Sequence, residues 1–202
     1  MTDATLPLLL ALHSCTDRFG IAVQDGSGKP RVAVFDDGRG LSNSLIERVD
    51  ALLPRSRWSE LQGLAVATGP GGFTGTRLTV VMARTLAQQL DCPLLGVSGF
   101  ALMAQRLQLQ CREQPFWITQ ELPRRGVVAG RYRLDGDSVT ELEPPHLLSE
   151  GQVATPALAA EVNVEADVAA LLAALQRSLE RGDALPWQAV LPIYPTSPVG
   201  PV

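Results

Sequence analysis

Residues 64–78, LAVATGPGGFTGTRL, carry the strongest fold signal in the chain. The apolar run 64–68 is short and made of small residues, which is typical of a strand in the middle of a covered sheet. Four glycines and a proline follow, and a helical pattern then continues from about Thr74 to Leu90. A buried strand, a tight turn and a helix in this order predict an α/β fold.

The glycine-rich turn between that strand and that helix requires a backbone that reverses sharply and lies close to another group. One candidate for that group is a phosphate at the helix N-terminus, and the other is the neighbouring strand, with Phe73 in the core. Neither GxxxxGK[ST] nor GxGxxG occurs, and the single lysine, Lys29, lies elsewhere, so a structural or partner-contact role is favoured. The residues assigned to the turn are Gly69, Pro70, Gly71, Gly72, Phe73, Thr74, Gly75 and Arg77.

The remaining pattern predicts two small α/β units joined near residues 98–112. In the first half we predict strands at 8–14, 19–23, 31–35 and 94–97, a hairpin turn at 25–30, and helices at 44–53 (capped by Ser44 and Glu47) and 98–110 (capped by Ser98). In the second half we predict strands at 116–118, 127–133, 139–142 and 188–194, a loop at 143–155, and a helix at 168–179 closed by Gly182. The predicted domains are a first lobe at 1–98, a second, smaller lobe at 99–194 and a flexible tail at 195–202.

Composition excludes several classes of protein. The 202 residues are 46% hydrophobic and 19% charged, which is globular rather than disordered. Two histidines, His13 and His146, cannot build a multi-histidine metal centre unless carboxylates supply most ligands, so we expect no metal site. The three cysteines form no CxxC, which argues against a disulfide framework or a zinc knuckle and favours a reducing cytosol. No apolar run approaches the roughly 20 residues of a membrane span, so we expect a cytoplasmic protein without membrane contact.

Charge is distributed unevenly, with a net charge of −4 for the whole chain. Arginines recur between Arg106 and Arg133, ahead of an acidic C-terminal region. This stretch lacks the broad basic footprint of an independent nucleic-acid binder, and a solvated face is the favoured interpretation. The arginines at 124–133 could still assist a partner that holds RNA.

The polar cluster after the first predicted strand contains His13, Ser14 and Cys15. Such a strand end is a common place for phosphate or metal ligands, but a lone histidine there is more often structural. A nucleophile-and-base pair is disfavoured because the sequence offers no identifiable third partner.

The helix at 76–90 is apolar nearly all round, with Arg77 and Arg84 as its only charges. Because a surface helix on a sheet needs one apolar stripe only, this helix is expected to be buried on more than one side. Its small side chains favour contact with a helix of another chain, although burial inside its own domain is the alternative.

Segments 10–16, 69–77 and 93–98 resemble the TsaB (YeaZ) family. The resemblance implies a two-lobed fold of the acetate and sugar kinase, Hsp70 and actin type, which is ribonuclease H-like, here with a shortened second lobe. It also implies a non-catalytic subunit that pairs with TsaD in the complex that forms N6-threonylcarbamoyladenosine at position 37 of tRNA. The ATPase TsaE would join, a homodimer is possible, and tRNA would be met only through the complex. No cofactor is then expected for this chain, since ATP and metal belong with its partners.

The partner contact implied by the resemblance lies on the first two helices. The predicted interface residues are Ser44, Leu45, Arg48, Thr76, Thr79, Val80, Ala83 and Ala87. The alternative function is a small nucleotide-binding ATPase or kinase of the same fold, which is disfavoured because His13 replaces the expected aspartate. A glycoprotease is excluded by the lack of HxxxH and HExxH.

Overall fold

The structure is a computed structural model that describes residues 7–26, 28–107, 114–136 and 138–196. The strands are β1 (Leu9–His13), β2 (Phe19–Gln24), β3 (Arg31–Phe35), β4 (Gly63–Ala67), β5 (Leu94–Val97), β6 (Phe116–Leu122), β7 (Gly126–Asp135), β8 (Ser138–Leu147) and β9 (Ala157–Ala159). The helices are α1 (Leu41–Leu52), α2 (Phe73–Leu90), α3 (Gly99–Leu107) and α4 (Val164–Arg181), with 3-10 turns at Gly38–Gly40, Arg55–Glu60 and Trp187–Ala189. The predicted mixed α/β class is confirmed.

The first sheet has the strand order β3-β2-β1-β4-β5. The first three strands are antiparallel, as the hairpin pattern predicts, whereas β4 runs parallel to β1 and β5 runs parallel to β4. Every residue of β1 and β4 is buried, because helices cover both faces of the sheet. Leu10 and Leu12 face the side of α1 and α2, whereas Leu9 and Ala11 face the side of α4.

Helix α4, which the sequence pattern places in the second lobe, packs mainly on the first sheet. Its main strand contacts are with β1, β2 and β4. Gly20 on β2 lets α4 pack close to the sheet, since a Cβ on Gly20 would lie 2.7 Å from the Val164 side chain. The segment after α4 also returns to the first sheet, where the Ile193 backbone N–H donates to the Thr68 carbonyl at 2.7 Å. Parallel strands such as β1, β4 and β5 are usually covered on both faces of their sheet, and the apolar stripe of α4 covers one of these faces.

The second sheet has the order β8-β7-β6-β9, with α3 packed against β7 and β8. Its core is formed around Phe100, Phe116 and Tyr132. Strand β8 continues to Leu147, where the sequence predicts a loop at 143–155. This difference arises because β8 is an edge strand, in which prolines without an N–H are tolerated.

The ends of the helices differ in part from the prediction. Helix α1 begins at Leu41, so Ser44 lies inside it and donates to the Gly40 carbonyl at 3.4 Å instead of capping the helix. Ser98 does cap α3, since its hydroxyl accepts from the Ala101 N–H at 3.1 Å. Gly182, with φ +71°, closes α4 as predicted.

Other predictions on the chain ends and connections are settled only in part. The predicted strand at 188–194 is instead a 3-10 turn followed by an extended segment. Residues 108–110 of the helix predicted at 98–110, residues 108–112 of the predicted junction and residues 197–202 of the predicted tail lie outside the described residues. Within the described part of the chain, no helix combines the length and apolar character that a membrane crossing needs.

Candidate interaction site at the glycine-rich turn and the outer helix face

The glycine-rich turn lies against the connection that follows β1. A Cβ on Gly71 would lie 2.0 Å from the Cys15 carbonyl oxygen, and the Gly72 N–H donates to that same oxygen at 3.2 Å. A Cβ on Gly75 would lie 3.0 Å from the Ser14 carbonyl. The group that the turn approaches is therefore the neighbouring backbone, which accounts for Gly71 and Gly75 by packing alone.

Phe73 is not in the core, contrary to the expectation. Phe73 is the first residue of α2 and is 39% exposed. Its ring stacks on Tyr194, with the ring centroids 4.8 Å apart. The reason is the path of the C-terminal segment, which passes Gly69 closely enough that a Cβ there would lie 2.8 Å from the Ile193 carbonyl. Because Tyr194 follows directly, the two rings meet at the surface.

The predicted interface face of α2 is buried by the chain itself. These side chains are at most 1% exposed: Thr76, Thr79, Val80, Ala83 and Ala87. The small residues let α2 pack closely on its own sheet, and Thr79 bonds Ser14 hydroxyl to hydroxyl at 2.7 Å. Leu45 on α1, 6% exposed, belongs to the same core. Six of the eight residues predicted for the interface are therefore buried within the chain itself, and a contact through these helices stays a prediction.

The opposite side of the two helices is open to solvent. Val81 on α2 is 54% exposed and Ile46 on α1 is 39% exposed. We call the exposed side chains of Ile46, Arg77, Val81, Thr85 and Gln88 the outer face. Helices α1 and α2 contact each other on the same side of the first sheet, so the two helices present one surface.

Arg48 and Ser44, the other two predicted interface residues, are half-buried. The Arg48 guanidinium donates to Asp37 at 2.9 Å and lies over the Phe35 ring, 4.6 Å from its centroid. This hydrogen bonding holds the pKa of the Asp37 carboxyl below its usual value. Arg48 therefore ties α1 to the loop before it.

His13, at the end of β1, is sealed from solvent, and neither ring nitrogen has a hydrogen-bond partner among the described residues. Burial lowers the pKa of the imidazole to about 4, because the charged form would lose its hydration. The neutral ring stands where the resemblance implies a carboxylate, and it does not fit a site for a magnesium nucleotide.

Cys15 is equally unsuited to nucleophilic chemistry. Its thiol is buried, and burial raises its pKa to about 12, so the reactive thiolate is not formed at neutral pH. Nearby, the buried Asp167 carboxylate forms an ion pair with Arg106 at 3.4 Å, and burial raises the pKa of Asp167. The part of the chain that the structure describes contains no cluster of three His, Cys, Asp or Glu side chains able to hold a metal ion.

Two cavities flank Phe73. The first, about 360 Å³, lies between the β1–β2 connection and the N-terminus of α1. The second, about 370 Å³, is lined by the glycine-rich turn, the β6–β7 turn and the C-terminal segment, and it contains Arg125 and Tyr194. We call this second cavity the Phe73–Tyr194 cleft. The sequence pattern places Tyr194 in the predicted strand at 188–194, and only the fold brings it to the turn.

Comparisons with known proteins agree on one family. A family model described as TsaD, tRNA N6-adenosine threonylcarbamoyltransferase, matches residues 37–169. The chain is 44% identical over 45 residues to the tRNA threonylcarbamoyladenosine biosynthesis protein TsaB of Bacillus subtilis, covering 22% of this chain and 20% of that protein. It is 30% identical over 100 residues to TsaB of Escherichia coli, covering 48% and 42% respectively. The chain thus spans less than half the length of the curated relatives it matches.

Solved structures extend the likeness of fold over nearly the whole chain. A Pseudomonas aeruginosa protein described as similar to peptidase YeaZ superposes with a TM-score of 0.73 at 22% identity, covering 95% of this chain and all of that one. YeaZ from the same organism gives 0.71 at 22% identity, covering 94% and 100%. With the family model matching about two thirds of the sequence, the chain belongs to the family of the threonylcarbamoyltransferase model and, within it, to the TsaB/YeaZ proteins.

Proposed function

We propose that this chain is a non-catalytic, TsaB-like subunit that pairs with a TsaD-like catalytic subunit. The complex would form N6-threonylcarbamoyladenosine at position 37 of tRNA. The observation that carries the proposal is the outer face of α1 and α2, where Ile46 and Val81 stand 39% and 54% exposed. Exposed apolar side chains grouped on one surface mark contact sites more often than isolated ones do.

The composition of the outer face suits a helix–helix contact. Thr85 and Gln88 are uncharged, and Leu78 adds half-buried apolar surface beside Val81, whereas Arg77 and the exposed Glu47 next to Ile46 carry charges. Protein interfaces combine apolar contacts at their centre with a polar rim. Two adjacent helices also offer ridges and grooves into which a helix pair of a related fold can pack. The same surface would bind a second copy of this chain when the catalytic subunit is absent.

The interior of the chain supports a role without chemistry of its own. The imidazole of His13 is neutral and sealed, and the thiol of Cys15 is protonated and sealed. Neither group can reach a substrate without a rearrangement of β1. In the proposed complex the catalytic subunit and a TsaE-like ATPase therefore supply the ATP and metal chemistry, and tRNA binds to the assembly.

Depletion of the gene in its own organism tests the proposal. The nucleosides of purified tRNA are analysed by mass spectrometry, and a tagged copy of the chain is recovered with its partners. We expect N6-threonylcarbamoyladenosine to fall on depletion and to return with the tagged copy, which should co-purify with a TsaD-like protein. Unchanged levels of the modified nucleoside, together with no TsaD-like partner, would refute the proposal.

A further inference from the structure

The Phe73–Tyr194 cleft is a second surface that the proposed pairing does not use. It has a volume of about 370 Å³ and opens where the glycine-rich turn, the β6–β7 turn and the C-terminal segment meet. Leu122 and Pro123 form one wall, and Ile193 forms part of the other. A space of this size lies near the lower end of the range for small-ligand pockets and admits one nucleotide-sized group.

Two aromatic rings are left open at this cleft. Phe73 is 39% exposed and Tyr194 is 41% exposed, although each ring contacts the other. The interplanar angle of 38° makes the pair a tilted stack whose outer surfaces remain accessible. Large aromatic side chains usually bury most of their area, so a paired and open arrangement suits the stacking of a planar ligand.

The charge around the cleft is positive. Arg125 lines it and donates to the Thr196 hydroxyl at 3.2 Å, and no carboxylate is among its described lining residues. Arg124 stands exposed next to Arg125 at the β6–β7 turn. Eight arginines of the described residues form ion pairs with carboxylates: Arg18, Arg48, Arg55, Arg57, Arg106, Arg131, Arg133 and Arg181. Arg125, like several other arginines, forms none within the described residues, so its guanidinium can contact an anion in the cleft.

We propose that the Phe73–Tyr194 cleft binds one unpaired nucleotide of the RNA on which the complex acts. The base stacks on the aromatic pair, and Arg125 contacts an adjacent phosphate. Single-stranded RNA is recognised by this combination of aromatic platforms and arginines. The inference rests on the proposed function, because only a tRNA-modifying complex would bring an RNA loop to this chain. With a net charge of −4, the chain is expected to contribute one contact to RNA bound by the complex.

The test uses the full chain, alone and with its TsaD-like partner, and a fluorescent anticodon stem-loop RNA with 4-thiouridine in the loop. Affinity is measured by fluorescence anisotropy, and ultraviolet cross-links are mapped by mass spectrometry. We expect a cross-link in the peptide that carries Phe73 or Tyr194. Tyr194→Leu, which keeps apolar bulk but removes the ring, should weaken binding by about tenfold, within the range for the loss of one stacked base.

Arg125→Gln is the second variant. Because Arg125 is exposed, the substitution should not disturb folding, and a loss of binding would reflect the lost contact. It should weaken binding several-fold and make the slope of log affinity against log salt shallower by about 0.7, the value for one phosphate contact of a single strand. Arg31→Gln is the matched control, because it makes the same charge change on the far edge strand β3. We expect Arg31→Gln to leave affinity and salt slope within error of the unchanged chain.

Equal affinities for all variants, or cross-links confined to other peptides, would overturn the inference. If the chain still pairs with the catalytic subunit and the modified nucleoside forms, the proposed function survives that result. If no complex forms, the proposed function fails, and the inference, which rests on it, fails with it.

Discussion

Acidification should destabilise this protein through His13 well before the ion-paired carboxylates of Asp25 and Asp37 titrate. The imidazole is buried with no hydrogen-bond partner among the described residues, and its pKa falls from 6.5 to about 4 on folding. Below pH 6.5 the His13 imidazole is therefore protonated in the unfolded chain but stays neutral in the folded chain. Unfolding becomes more favourable with each step down in pH until the folded imidazole itself titrates near pH 4.

The size of the effect follows from the two pKa values. Each pKa unit of difference corresponds to about 1.4 kcal/mol, so the full shift is worth about 3 kcal/mol. Between pH 7.5 and pH 5 the loss is about 2 kcal/mol, and the rest disappears by pH 4. Asp37 and Asp25, whose pKa values are lowered by Arg48 and Arg57, lose their contributions only as pH falls below about 4.

The assay is urea unfolding at equilibrium, followed by Trp fluorescence at half-unit steps from pH 7.5 to pH 5. The comparison variant is His13→Leu, which cannot titrate and keeps a buried side chain of similar size. All other groups titrate alike in the two proteins, including Asp167, whose raised pKa acts in the opposite direction. The difference between the two curves therefore isolates His13.

We expect the stability of the unchanged chain, relative to His13→Leu, to fall by about 2 kcal/mol over this range. Parallel curves would show that the imidazole finds a proton acceptor or water in the folded state. The assignment of a neutral, sealed imidazole would then be refuted.

Three further predictions concern packing around the same region. Gly71→Ala places a Cβ 2.0 Å from the Cys15 carbonyl and should lower the melting temperature by roughly 5–10 °C. Gly72→Ala is the matched control, because a Cβ there meets open space, and it should change the melting temperature by less than about 2 °C. Equal effects of the two substitutions would contradict the packing described. The Cys15 thiol should resist iodoacetamide at pH 8 in the native state and react in urea, as read by peptide mass spectrometry, and native labelling would contradict its burial. Arg106→Leu should lower the free energy of unfolding by about 3 kcal/mol at pH 7, because the Asp167 carboxylate stays buried without its cation. Adding Asp167→Asn should restore most of that stability, as measured by chemical unfolding. A double variant no more stable than Arg106→Leu would contradict the pairing.

Local patterns predicted most of the first sheet. The strand at 31–35 and the strand at 94–97 match their predicted bounds, because β-branched and apolar runs between turn residues carry the necessary information. The helix at 73–90 was predicted to within one residue at its start. The pattern could not show that α4 crosses back to the first sheet, since an apolar stripe does not indicate which sheet it covers.

The main difference between the predicted and the observed site is that the small residues of α2 face the chain's own sheet instead of solvent. Thr76, Ala83 and Ala87 suit close packing on a neighbouring chain and equally suit close packing on a sheet, so their size alone could not distinguish the two. The exposed face of α2 is instead formed by Val81 and by residues three or four positions apart along the helix, namely Arg77, Thr85 and Gln88. Tyr194 was unpredictable as a neighbour of Phe73, because 121 positions separate them along the chain and only tertiary packing joins them.

Affinity for the TsaD-like partner tests the central claim most directly. The purified chain and its Val81→Arg variant are titrated against that partner by calorimetry, with Val153→Arg as the matched control at a valine that is 76% exposed and outside the outer face. A buried, unpaired arginine at the centre of an interface costs several kcal/mol, so Val81→Arg should weaken binding at least 100-fold and leave the melting temperature unchanged. Val153→Arg should bind like the unchanged chain. Undiminished binding by Val81→Arg would contradict the claim that the outer face of α1 and α2 is the surface on which the catalytic subunit docks.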